Sequence, residues 1–168
     1  MNENGYIRKI DDLGRIVIPK ELRQRLKIQE GENLIINCTE KNINLSKYSY
    51  IKNNISFIKS IGDKAAFIMG LNIIITDLEH IIYSSVPIID EELDKQVVQY
   101  ANQRKAHNLT ELLVTDALKI CGHITIEPII LSSQALGLVI SWEDKHNDYT
   151  SKVCELISVY IAMYMEHA

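Results

Sequence analysis

Ile7-Arg8-Lys9-Ile10-Asp11-Asp12-Leu13-Gly14-Arg15-Ile16-Val17-Ile18-Pro19 reads as two short runs folded about one turn. Tyr6–Ile10 is predicted to be a strand, ended by Asp11–Gly14, where Gly14 can supply a positive φ. Arg15–Ile18 is rich in β-branched residues and reads as the returning strand. Pro19 ends that strand and opens a short helix to about Leu26, with Leu22 and Leu26 on its buried face. After the turn at Glu30-Gly31-Glu32, Leu34, Ile36 and Cys38 alternate, then Ile43 and Leu45, which predicts a second hairpin.

Two hairpins and one helix in fewer than fifty residues make a core too small to stand alone. No disulfide or metal pattern is available to staple it. Size therefore predicts that this segment shares its core with a second copy. The junction is expected near Lys47–Tyr50, dividing the chain into residues 1–50 and 51–168.

Residues 50–69 place Ile51, Ile55, Ile58, Ile61, Ala65 and Ile68 at helical spacing. Strands are expected at 71–77 and 80–85, an amphipathic helix at 90–106, and helix again at 109–120. A hairpin of strands 123–131 and 136–142 follows, with Pro128 marking an edge or a bulge. The last segment, 148–167, is a helix with a broad apolar face. The order describes an α+β domain with an antiparallel sheet.

The chain has a net charge of −4, but the charge is unevenly spread. Residues 1–27 hold seven Lys/Arg against four acids, a net of +3; residues 51–168 hold nine against fifteen, a net of −6. A basic head on an acidic body points to an anionic partner for the head. The apolar runs are too short to cross a bilayer, and the polar start Met1–Asn4 is no signal peptide, so a cytoplasmic location is expected. Cys38, Cys121 and Cys154 form no C-x-x-C pair and read as small buried or half-buried thiols. Cys121 and His123 lack further metal ligands nearby. No cofactor is expected. No P-loop, dinucleotide fingerprint or Ser-His-Asp order occurs, which argues against an enzyme.

Arg8, Lys9, Arg15 and Arg23 fall on or beside the turns of the small β unit. Arginine suits duplex recognition because its planar fork donates two hydrogen bonds to guanine or phosphate. Two copies double the head's charge to about +6 and release more counterions from DNA.

Residues 5–47 resemble the AbrB family of transition-state regulators, through Ile7–Pro19, Glu21-Leu22-Arg23 and Leu45-Ser46-Lys47-Tyr48. The resemblance implies a swapped-hairpin β-barrel dimer that binds double-stranded DNA and regulates sporulation or stationary-phase genes. It puts the DNA-contacting arginines on Arg8, Arg15 and Arg23. Where the family places a fourth arginine this chain has Gln24, with Arg25 one position on, rotated by about 100°. Lys9 and Arg25 are expected to support the contact. Antitoxins share the fold, but they end in a toxin-wrapping tail, whereas residues 51–168 read as folded.

In element order, residues 51–168 are similar to GAF domains. That implies either a small-molecule sensor or an oligomerisation unit, the latter pairing heads into a homotetramer through the helices at 51–69 and 148–167. Polar pocket candidates are Thr76, Asp77, Tyr83, Ser85, Asp116, His123, Thr125 and Glu127. A thiol-dependent methionine sulfoxide reductase is the enzymatic alternative, and it needs two neighbouring thiols.

Overall fold

The computed structural model describes residues 5–167 except Gln29, Ile89 and His146. The polar start Met1–Asn4 lies outside the described residues. The chain divides into two compact units, Met1–Tyr48 and Ser49–Ala168.

In the first unit, α1 (Lys20–Arg25) follows Pro19, and β1 (Leu34–Cys38) pairs antiparallel with β2 (Ile43–Lys47). The register sets Ile36 opposite Leu45 and Cys38 opposite Ile43, so the alternating apolar residues share one face, as expected. The predicted strands at 6–10 and 15–18 differ: only the turn between them forms, and neither run joins a ladder. A strand needs a partner for its backbone groups, and a single copy offers none here. Helix α1 also departs from expectation. It buries no residue, Leu22 is half-buried and Leu26 is 48% exposed. Among the described residues of this unit only Pro19 is buried.

The second unit carries a genuine core. A five-stranded antiparallel sheet runs β4-β3-β7-β6-β5, built from β3 (Asn72–Thr76), β4 (Ile81–Ser84), β5 (His107–Leu113), β6 (Lys119–Leu131) and β7 (Gln134–Glu143). On one face, α2 (Tyr50–Asn53), α3 (Ile55–Met69) and α5 (Asp148–Glu166) pack around Ile58, Ile73, Ile75, Val139, Ile157 and Ile161. On the other, α4 (Lys95–Gln103) covers Ile74, Ile124, Ile126, Leu138 and Ile140.

Local chemistry sets the boundaries. The Ser49, Asp94 and Asn147 side chains accept from the backbone N–H groups of Lys52, Gln96 and Tyr149, capping α2, α4 and α5. Helix α4 is shorter than the predicted 90–106 because residues before its cap are tied to the sheet: His80 bridges Glu92, and the Leu93 N–H bonds the Glu79 carbonyl. The segment expected to be helical at 109–120 is instead β5 and the start of β6. A register shift between Leu109 and Glu111 breaks the two-residue alternation there and leaves a leucine spacing that mimics a helix. Pro128 sits past the last β5 pairing, His107↔Ile126, where β6 has a neighbour on one side only, and a bulge follows at Ile129/Ile130. At Gly62 of α3 an added Cβ would run into the Tyr83 ring, so helix and sheet approach as closely as they do only over a glycine.

Candidate nucleic-acid interface

The turn at the front of the first unit is organised by one carboxylate. Asp11 Oδ1 accepts from the N–H groups of Leu13 at 3.1 Å and Arg15 at 2.8 Å, while Oδ2 accepts from Arg15 Nε at 2.7 Å. The main chain closes the same turn: Asp11 N–H donates to the Arg15 carbonyl and Gly14 N–H to the Asp11 carbonyl. Gly14 has φ +77°, and a Cβ there would meet nothing, so the demand for glycine is purely conformational. The Arg15 N–H, then its guanidinium, with a smaller contribution from the Leu13 N–H, hold the Asp11 carboxyl below the usual carboxylate range against a small opposing effect of burial.

Each basic residue singled out from the sequence is exposed. Arg8 donates to the neighbouring Ile7 carbonyl and lies 5.9 Å from the Tyr6 ring centroid. Arg15 leans on Asp11 with its side chain 70% exposed. Lys9, Arg23 and Arg25 hold no ion pair with any described residue. Arg23 and Arg25 are two positions apart on α1 and so diverge by about 200° around its axis, leaving them on nearly opposite sides. Arg8 and Arg15 flank one turn; Arg23 stands on the helix that follows Pro19. What the sequence reading missed is Asp11, which shapes the turn. Its signal was an aspartate three residues before a glycine, the pattern of an Asx turn.

The same unit exposes a large apolar surface. Ile7 is 92% exposed, Val17 75%, Leu13 71% and Ile36 69%.

In the second unit the predicted polar residues scatter. Thr76 accepts from the Leu138 N–H, and Asp77 accepts from Ser49 Oγ and the Glu79 and His80 N–H groups, turning the chain between β3 and β4. Ser85 accepts from the Ile73 N–H; Thr125 bonds Asn108; Asp116 and His123 are exposed. Tyr83 is a core residue whose hydroxyl is pushed up to about 12 by burial and by Asp63. Glu127 alone of the set lines a cavity of about 230 Å³ beside α5. The thiols also depart from expectation: Cys38 and Cys121 are exposed, and only Cys154 is buried. Burial, reinforced by Glu127, pushes the Cys154 thiol up to about 12, so it holds no thiolate at neutral pH. Among the described residues no three His, Cys, Asp or Glu side chains gather to hold a metal, and no helix is long and apolar enough to cross a membrane.

Known proteins resemble both units. Residues 7–51 match the family described as antidote-toxin recognition MazE, bacterial antitoxin. Stage V sporulation protein T of Bacillus subtilis (strain 168) is 29% identical over 178 residues, spanning 99% of either chain. Transition state regulatory protein AbrB of the same organism is 48% identical over 48 residues, 29% of this chain and 50% of that protein. A solved fragment of a methyl-accepting chemotaxis protein superposes with a TM-score of 0.54 at 11% identity, covering 68% of this chain and 90% of that one, a likeness of fold alone. The N-terminal unit is thus a domain of the AbrB/MazE type, on a chain similar along its whole length to stage V sporulation protein T.

Proposed function

We propose that this chain is a DNA-binding transcription regulator whose N-terminal units pair by exchanging hairpins and present Arg8, Lys9, Arg15, Arg23 and Arg25 to a duplex. The observation that carries the reading is a basic AbrB/MazE-type unit with a single buried residue, Pro19, among the described residues. Such a unit has no core of its own, and its unpaired runs at 6–10 and 15–18 are strands awaiting a partner. A second copy supplies both the ladder and the apolar cover. The likeness to a sporulation protein and to a transition-state regulator favours sporulation or stationary-phase genes as targets.

The second unit, GAF-like in this reading, joins two such dimers into a tetramer through α3 and α5. Leu156 (68% exposed), Met163 (57%), Tyr160 and Val159 lie open on α5, and Phe57 of α3 stacks on Tyr164 with ring centroids 3.7 Å apart. Open aromatic and aliphatic side chains on two neighbouring helices suit a helix-to-helix interface. The matched family's description favours a second reading, an antitoxin, in which a segment after residue 51 grips a toxin. Residues 49–168 form a compact unit of their own, which counts against a wrapping tail.

Binding of the full chain to mixed-sequence duplexes across a salt series tests the proposal. Affinity that falls steeply with salt, and falls again when Arg8, Arg15 and Arg23 are replaced together by alanine, is the expected outcome. An absence of binding at low salt would refute it.

A further inference from the structure

Strand β6 runs past the end of β5, and the gap that this leaves is not empty of chemistry. The last β5 pairing is His107↔Ile126; Glu127 comes next, bonded through its backbone to β7 alone, opposite Val139. Here the cavity of about 230 Å³ opens to solvent between β6, α5 and the segment Arg104–Ala106. Glu127 lines it at 8% exposure, and its carboxylate has no hydrogen-bond partner among the described residues. Another carboxylate, Glu155 of α5, lines the same cavity; burial, then Glu155, pushes Glu127 up to about 6. Arg104 and Lys105 line the same cavity from its exposed side, yet neither forms an ion pair with a described residue. Ile130 and Ala162 add apolar wall.

A largely buried carboxylate beside a second carboxylate, with water but no protein donor to meet it, is less well stabilised than one at the surface. The charge is relieved when a cationic group sits between the two. Glu127 is the buried charge of the cavity, whereas Glu155, Arg104 and Lys105 are exposed around it, so a ligand there meets carboxylates on one side and cations on the other, and the apolar wall leaves room for a hydrocarbon portion. The volume falls below the roughly 300–1,000 Å³ of pockets for drug-sized ligands, so the occupant is small.

We propose that this cavity binds a small zwitterion of the amino-acid class, its ammonium group between Glu127 and Glu155 and its carboxylate toward Arg104 and Lys105. The site stands independently of the DNA-binding reading, because every residue in it belongs to the second unit, but it adjoins the α5 face proposed as the tetramer interface, since Val159 belongs to both. Calorimetry and thermal melting of the full-length protein test it, with the twenty amino acids singly, putrescine as an amine without a carboxylate, and succinate as a diacid without an amine. At least one amino acid is expected to bind and raise the melting temperature, ahead of both controls. Glu127→Gln, which keeps shape and removes charge, is expected to weaken that binding at least tenfold while melting no lower than the unaltered protein. Arg104→Ala with Lys105→Ala is expected to weaken it as well. Failure of every amino acid, equal binding by Glu127→Gln, or preference for putrescine or succinate would each overturn the proposal.

Discussion

Replacing Ile36 by aspartate separates a free-standing head from a shared one. In a single copy Ile36 is 69% exposed on the open face of the β1/β2 hairpin, opposite Leu45. Were that face solvated in the working protein, the change would shift stability by no more than about 0.5 kcal/mol. Full burial of an isoleucine side chain is worth roughly 1.5–3 kcal/mol, so covering the exposed two thirds is worth about 1–2 kcal/mol. In an isologous dimer the residue occurs twice, giving about 2–4 kcal/mol before any charge is desolvated. At 1.4 kcal/mol per tenfold, the dimer dissociates about 30- to 700-fold more readily. Because the α5 face is proposed as a second interface, the comparison is best made in a Leu156→Asp background that disables it. Sedimentation equilibrium should find dimers of Leu156→Asp at micromolar concentration and monomers once Ile36→Asp is added. An unchanged dissociation constant would refute the shared core.

Further outcomes follow from the same structure. Arg15→Ala should weaken duplex binding by about 1–3 kcal/mol if Arg15 reads a base, with melting unaltered, because its side chain bonds only the exposed Asp11; titration and calorimetry check both halves. Asp11→Ala removes the acceptor that holds Leu13 and Arg15 in the turn, so duplex affinity should fall although Asp11 carries the wrong charge to touch a phosphate. Gly62→Ala forces the buried Tyr83 ring aside and should cost about 1–3 kcal/mol, read as a lower melting temperature of the second unit. Glu127 titrates higher in the folded chain (about 6) than its ordinary 4.5, so the folded state binds the proton more tightly. The stability this adds is complete below about pH 4.5 and disappears as the pH rises through about 6. The shift corresponds to at most about 2 kcal/mol, less because solvent enters the cavity. Denaturant titrations at pH 4.5 and 7 should show Glu127→Gln lacking this loss.

The sequence was legible wherever a segment's environment lies close by in the chain. Leu34, Ile36, Cys38, Ile43 and Leu45 announce the β1/β2 hairpin because each strand's partner is a few residues away. Ile58, Ile61 and Ala65 announce α3 because the sheet beneath it imposes helical spacing. Gly14 announces its turn. The runs at 6–10 and 15–18 carry strand composition without a strand, since composition records the partner a segment needs and a single copy does not supply it. Strand β5 was hidden by its register shift, which displaces Leu109 from the alternation kept by Leu112 and Val114. Glu127 was among the polar residues noted, but its isolation depends on where β5 stops, and that is a property of the sheet rather than of neighbouring residues.

The scarcity of buried residues before Tyr48 has a consequence for dosage. If the head completes itself only against another copy, as proposed, paired heads would scale with the square of chain abundance when chains are scarce, so halving expression would remove about three quarters of them. If the heads pair as proposed, newly made chains would carry an unfinished head open to proteolysis until they meet. Turnover of unpaired chains would then sharpen the difference between a cell that makes little of this protein and one that makes twice as much.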